Sequence, residues 1–420
     1  MTSVAGSAAD ERARERGKRA LAVVLTASGV SGIGTGVTTV ALPLLAASMS
    51  QSALEVSLVT FAGRLPWLGL AIFSGAIVDR VDRRAVMIRT DLVRCAVQLG
   101  LFALLFWDAA SLPLLVLCAF LLGCGDTFFD TASQAVLPTL VSESRPELER
   151  ANSRMQSVRQ TCRNFAGPAV GGFLFALGRW VPVLLDGLSF LVSSTILRRL
   201  PSIGRPRTGE AERITAGRIV RDVGEGMAWL RRNPRLLVLF AVSGMSNVVF
   251  GADMAIFVLF VTRLLGMSDW QFGLLNAGAV VGGIVGSVVF SRLRKRFSLR
   301  AVLFSALVVR AVAFAAVGVM SSALAIWFLM TIVGIASVIW NIVSVSTRQA
   351  AIPQELRGRV MSCFRCIIVG ALAVGAVAGG ALADAIGLRW PYLLGGALML
   401  VVVAVSRRSL SKLLAEDEVH

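Results

Sequence analysis

Twelve long apolar stretches punctuate the chain, near 20–46, 54–78, 85–107, 111–137, 155–177, 180–197, 236–262, 270–291, 301–320, 323–347, 360–386 and 389–406. Crossing the hydrocarbon layer as a helix takes about 20 mainly apolar residues. None of the stretches alternates polar and apolar residues as a half-buried strand would, and a lone strand cannot span lipid because its backbone groups would lack partners. The expected fold is therefore all-α integral membrane, with twelve transmembrane helices. Composition agrees, since 16% of the residues are charged and the mean hydropathy is +0.75, whereas a soluble domain is about 25% charged. A disordered chain, a disulfide scaffold and an ordinary soluble enzyme are excluded. The first stretch follows a charged arm and is too long for a signal peptide, so it is expected to be retained. The 40 glycines suit close packing of helices in lipid.

The chain carries a net charge of +17, and its basic residues are unevenly placed. Of 42 Lys and Arg, 32 fall in the arm before the first stretch, in 79–84, 143–154, 198–235, 292–300 and 348–359, and in the C-terminal tail. The alternate loops hold only Arg179, Arg263 and Arg389. Positive charge stays cytoplasmic, so both termini are expected inside a cell membrane. Trp107, Trp180, Trp270, Trp327 and Trp390 fall near the expected outer ends, as an interfacial belt would. A nucleic-acid partner is not expected, because the basic residues are dispersed and carry no recognition motif; topology and attraction to anionic lipid account for them.

The chain also repeats itself at about half its length. Arg84-Ala85-Val86 with Val93-Arg94 recurs as Arg300-Ala301-Val302 with Val309-Arg310. Gln134-Ala135 with Pro138 recurs as Gln349-Ala350 with Pro353, Gly171-Gly172 as Gly379-Gly380, and Arg179-Trp180 as Arg389-Trp390. Two parallel six-helix bundles related by a pseudo-two-fold axis along the membrane normal follow, with a central cleft opened by rocking. The expected organisation is an arm at 1–19, bundles at 20–197 and 236–406, a basic linker at 198–235 and a tail at 407–420. A short amphipathic stretch is expected around Ile219–Leu230.

The loop after the second stretch reads Gly75-Ala-Ile-Val-Asp79-Arg80-Val-Asp82-Arg83-Arg84. It resembles the signature loop of the major facilitator superfamily, in the form found in the macrolide-efflux and enterobactin-exporter group. Asp91 and Arg94 at the third stretch, Ala151-Asn152, Gly167-Pro168-Ala-Val-Gly171-Gly172 and Asp186-Gly-Leu-Ser-Phe190 are similar to that group as well. The glycine–proline element matches only the second half of the drug exporters' antiporter motif. The resemblance implies a twelve-helix exporter coupled to the proton gradient. The second copy of the loop, Gly286-Ser-Val-Val-Phe-Ser291-Arg292, has no Asp. That leaves Asp79 as the gating acid. It ends a helix beside Arg80, Arg83 and Arg84, with Gly75 allowing another helix to pass close, and an acid facing a helix N-terminus is favoured by the dipole. Topology alone is the alternative account of these charges.

Charged residues inside spans cost about 2.5–3.5 kcal/mol on insertion scales and mark function by default. Asp126, Asp130 and Gln134 share one helical face of the fourth stretch, and Asn152, Gln156, Arg159, Arg163 and Gly167 one face of the fifth. Depth counted from the 138–150 loop pairs Asp130 with Arg159 and Asp126 with Arg163. A carboxylate whose solvent access changes can load and release a proton; a permanent ion-pair lattice explains the same pattern. Asp253 in the seventh stretch is a further candidate for a proton or a cationic cargo. Arg64, Trp67, Trp340 and Asn341 are candidate cleft residues, although a tryptophan inside a span is more often packing. Asp186 reads as structural. Asp91 and Arg94 are expected to brace the signature loop, and Arg310 to repeat Arg94; Arg365 stands alone in the eleventh stretch.

The single histidine is His420, so neither a histidine metal site nor His-based catalysis is expected. Cys363 and Cys366 have redox spacing but sit in a span and read as packing. The glycines at 29, 32, 34 and 36 match no nucleotide-binding motif. No metal, cofactor or ATP site is expected, and no catalytic set. The sequence reading is a monomeric, proton-coupled exporter of a hydrophobic or amphipathic small molecule such as a drug, macrolide or siderophore, with protons and membrane lipid as its other partners. Its rivals are a proton-coupled uptake symporter for a polar solute, an integral-membrane enzyme, and a non-transporting receptor or scramblase.

Overall fold

A computed structural model describes residues 2–78, 80–141, 145–201, 216–353 and 356–417. No strand occurs among them. The helices are α1 (Thr2–Met49), α2 (Ala53–Val78), α3 (Arg83–Phe106), α4 (Leu112–Leu140), α5 (Arg145–Arg159), α6 (Gly167–Leu177), α7 (Val181–Leu197), α8 (Ala216–Arg232), α9 (Pro234–Leu259), α10 (Asp269–Arg294), α11 (Leu299–Val319), α12 (Ala323–Ala351), α13 (Arg357–Ile386) and α14 (Trp390–Asp417). All twelve apolar stretches fall on helix, and among the described residues eight helices have the length and apolarity to cross a membrane. The fifth stretch is compound: α5 continues through a π-helical turn, Gln160–Ala166, into α6. Pro168 sits in the first turn of α6. A proline removes one rung of the helical ladder, and a π turn is a common local adjustment at functional positions.

The chain divides into two compact units, Met1–Leu42 with Gly69–Thr215 and Pro43–Leu68 with Ala216–His420. The division thus passes through α1 and α2 as well as the linker. In the first unit α3 packs on α4 and α7. Helix α1 packs on the π turn and α6 where Gly36 meets Gly167: a Cβ on Gly167 would come within 2.6 Å of the Gly36 Cα. The core of this unit gathers Leu21, Val24, Met87, Phe129, Leu137 and Met155.

In the second unit α9 packs on α13, α10 on α12, and α11 on α12 and α14. Gly278, Gly282 and Gly286 on α10 and Gly334 on α12 abut the partner helix's backbone, so Cβ atoms there would overlap carbonyls. In lipid such close approach substitutes van der Waals contact for a hydrophobic driving force. Its core gathers Leu236, Phe240, Leu303, Leu307, Trp340 and Val403. The amphipathic stretch of the linker forms α8, which packs on α13. Phe173, Leu177, Val401 and Val405 are among the large apolar side chains that remain exposed on helix faces, as expected of surfaces that meet acyl chains.

Candidate functional site

The first unit holds an alternating chain of three acids and three arginines. Asp91 pairs with Arg94 one turn along α3. Arg94 reaches Asp126 on α4 at 2.7 Å. Asp126 in turn binds Arg163 in the π turn, Arg163 lies 3.6 Å from Asp130, and Asp130 pairs with Arg159 at the end of α5. The structure therefore brings together both pairs expected from depth along the hairpin. Its charges sum to zero, which lets it persist in a low-dielectric interior where an uncompensated charge could not.

Arg94 is the hub. Its side chain is 3% exposed, and its guanidinium lies between two rings, 4.7 Å from the Phe129 centroid and 4.2 Å from that of Phe190. Gly125 makes room for its stem, because a Cβ there would come within 2.6 Å of Arg94 Cγ. Among the described residues Arg94 reaches the acid on α4 and Asp91 binds Arg94, whereas the sequence reading has both bracing the signature loop. Beside the chain a cavity of about 20 Å³ is lined by Ser28, Ser31, Thr35, Asp130, Arg159 and Arg163 among others, room for one water-sized molecule. Asp186 forms a separate buried cluster, accepting from Thr38 Oγ1 at 2.6 Å and from Gln98 Nε2.

The signature loop caps helix ends in its own unit. Asp82 caps α3 by accepting from the Arg84 amide at 3.0 Å. Arg83 donates to the Ala135 carbonyl at 2.9 Å, and Arg84 donates to the Leu197 and Arg198 carbonyls at 3.3 and 2.7 Å. Cations at helix C-termini are favoured by the dipole. Arg80 is exposed. Asp79 lies outside the described residues. A Cβ on Gly75 would meet nothing within 4 Å among those residues. Gly167 and Pro168 meet Gly36 on α1, and Gly171 meets Val37, while Gly172 is buried.

The second unit has no such chain among its described residues. Half-buried Asp253 on α9 has Tyr392 and Arg310 as its polar neighbours. Tyr392, the chain's only tyrosine, is fully buried. Arg310 donates to the Ser246 carbonyl at 3.3 Å, so it does not repeat the office of Arg94. Trp340 is 7% exposed and belongs to the core, whereas Asn341 is exposed and Arg64 half-buried. Trp67 is half-buried and carries the Arg365 guanidinium 4.6 Å from its ring centroid. Cys363 is buried and Cys366 exposed, both as free thiols.

Three features escaped the sequence reading. Asp384, near the end of α13, caps the start of α2: it accepts from the Ala53 and Leu54 amides at 2.6 and 3.0 Å and from Ser52 Oγ. Arg263, in the π-helical turn Phe260–Leu264 that follows α9, donates to the Ala47 and Ser50 carbonyls where α1 ends. The short turn joining α1 to α2 is thereby strapped from both sides within the second unit. Arg348 is buried with its guanidinium 3.6 Å from the Phe364 ring centroid. The signal for the first two was available only as a lone charge at the end of a span, indistinguishable from ordinary solvated charge.

An all-helical, lipid-spanning fold with a neutral buried chain of charges defines a polytopic membrane transporter of the major facilitator type. Residues 17–419 match the profile of the transmembrane secretion effector family, and the chain belongs to that family. It is 30% identical over 404 residues to the multidrug efflux pump Tap of Mycolicibacterium fortuitum, across 92% of this chain and 94% of that protein. It is 24% identical over 382 residues to macrolide efflux protein A of Streptococcus pyogenes, across 90% and 92%. Among solved structures, the D323A mutant of the nucleoside transporter NupG superposes with a TM-score of 0.76 at 10% identity, covering 93% of this chain and 99% of that one. A bacterial homologue of the iron transporter ferroportin superposes at 0.70 with 16% identity, covering 93% and 98%. The structural likenesses establish the fold.

Proposed function

We propose that this protein is a proton-coupled exporter of hydrophobic or amphipathic small molecules, of the drug and macrolide type, working by alternating access in the cell membrane with both termini cytoplasmic. The names of its relatives support the cargo class and the direction. The observation that carries the coupling is the alternating chain from Asp91 to Arg159. Asp130 and Asp126 lie at its more accessible end, with side chains 10% and 12% exposed, whereas Asp91 is sealed at 0%. A proton arriving at Asp130 or Asp126 neutralises one acid and leaves its arginine in excess, so the chain must rearrange. That links proton occupancy to the packing of α4 against α5 and the π turn.

Trp67 with Arg365 offers an aromatic and cationic surface to an amphipathic cargo.

The test is survival of expressing cells on a panel of toxic compounds, with and without a protonophore, followed by efflux from proteoliposomes under an imposed pH gradient. Protection that vanishes with protonophore is the expected result. Protection indifferent to protonophore would overturn the coupling, and net accumulation of the compounds would indicate an uptake symporter instead.

A further inference from the structure

A second cavity, of about 660 Å³, opens at one end of the first unit. It lies where the apolar run of α1 begins at Ala20 and Leu21, where α4 ends at Leu140, and against the first turns of α5. Helices that cross lipid change from apolar to polar at such a level, so this is the depth of lipid headgroups. Its lining has two chemistries. Half-buried Leu140 and Val141, over the buried Ala20, Leu21 and Ala151, give an apolar floor. Arg16, Lys18, Arg150 and Arg154 supply four cations against one acid, Glu147.

The cations are arranged rather than scattered. Arg150 and Arg154 stand four residues apart on one face of α5, where like charges repel. Arg16 and Lys18 approach from α1, and none of the four forms an ion pair among the described residues. The wall between them is held close because Gly17 abuts the Leu140 carbonyl oxygen, and a Cβ there would collide with it. A pocket that concentrates repelling cations over an apolar floor is complementary to a phosphate group attached to something greasy. It is the wrong sign for a cationic cargo.

We propose that this pocket binds the phosphate headgroup of an anionic phospholipid from the adjacent leaflet. Arg150, Arg154, Arg16 and Lys18 hold the phosphate oxygens, and the glycerol and first acyl carbons rest on Leu140 and Val141. Basic pockets beside spanning helices recognise anionic headgroups in this way. Occupancy ties α1 to α5, the helix that carries Arg159 nine residues beyond Arg150.

The experiment is native mass spectrometry of the delipidated full-length protein titrated with phosphatidylglycerol, with phosphatidylcholine as the neutral comparison. It needs no transport activity, so its outcome is independent of the function proposed above. Wild type should retain phosphatidylglycerol in preference to phosphatidylcholine. The double variant R150A/R154A, on an exposed helix face, should weaken that binding about 30-fold, from the loss of two surface cations. A control double variant, R294A/R296A, removes two cations from the second unit's loop and should change nothing. Equal binding by wild type and R150A/R154A would overturn the proposal, as would an equal loss in the control. Displacement of the lipid by inorganic phosphate at matched concentration would show that the pocket takes a free anion, and would overturn the lipid assignment.

Discussion

The two units differ most where their sequences run parallel. The 216-residue offset that carries Arg94 to Arg310 carries Asp91 to Leu307, a fully buried core residue. The 215-residue offset that aligns Gln134 with Gln349 carries Asp126 to Asn341 and Asp130 to Val345. The second unit therefore keeps the arginine on its α11 but has no acid at the two positions that would pair with it, nor at the third position of the chain. Arg310 turns instead to the Ser246 carbonyl and toward Asp253 on α9. One unit holds a charge-balanced chain of residues; the other holds a hydrophobic core, one tyrosine-flanked acid, and the caps on the turn between α1 and α2. The helices and several motifs recur between the units, and the ion pairs do not.

The sharpest way to break this comparison is to remove the hub. Arg94→Ala strips the cation from Asp91 and Asp126 in a buried site and should destabilise the protein by about 3–5 kcal/mol. The readout is collapse of the monodisperse peak in fluorescence-detected gel filtration. Arg310→Ala should cost visibly less, and equal losses would show the two arginines to be equivalent after all. Next come Asp126→Asn and Asp130→Asn, which keep shape while removing charge. Each should abolish pH-driven efflux from proteoliposomes while enough folded protein survives to be reconstituted; full activity in both would reduce the chain to scaffolding.

A smaller effect is expected at the strap. Asp384→Ala should cost about 1 kcal/mol of local stability and raise hydrogen exchange of residues 47–56 about fivefold, while residues 83–106 exchange as before. Smallest of all is Tyr392→Phe, expected to lower thermal stability by about 0.5–1.5 kcal/mol without loss of expression. If it instead removed transport altogether, Asp253 would be a working acid rather than a bystander, and the contrast between the units would narrow.

Much of this was legible from residue order. Twelve apolar runs required helices, and the spacing from Pro138 placed Asp130 opposite Arg159 because an α-hairpin preserves depth on both its arms. The repeat aligned Arg94 with Arg310, but did not show that Asp91 and Leu307 would diverge in office. Arg94 was assigned to the signature loop although the same depth count selects Asp126: α3 and α4 form a hairpin about the 107–111 turn, and depth was counted only along the next hairpin. The π turn was invisible for another reason: Pro168 marks a defect in the helix, yet periodicity cannot say whether a defect becomes a kink, a bulge or a break. Asp384 and Arg263 cap helices that are remote in sequence, and backbone amides and carbonyls carry no side-chain signature.

The division of α1 and α2 between the two units has a mechanical corollary. Helix α1 passes from one unit to the other at Pro43, and α2 does so at Gly69, just beyond Pro66. Pro43 has no amide to offer the Thr39 carbonyl, nor Pro66 the Ala62 carbonyl, so each rod has a missing rung beside the place where its allegiance changes. Bending strain in a lattice of otherwise continuous rungs gathers at such gaps, as it does at a scored line in a sheet of glass.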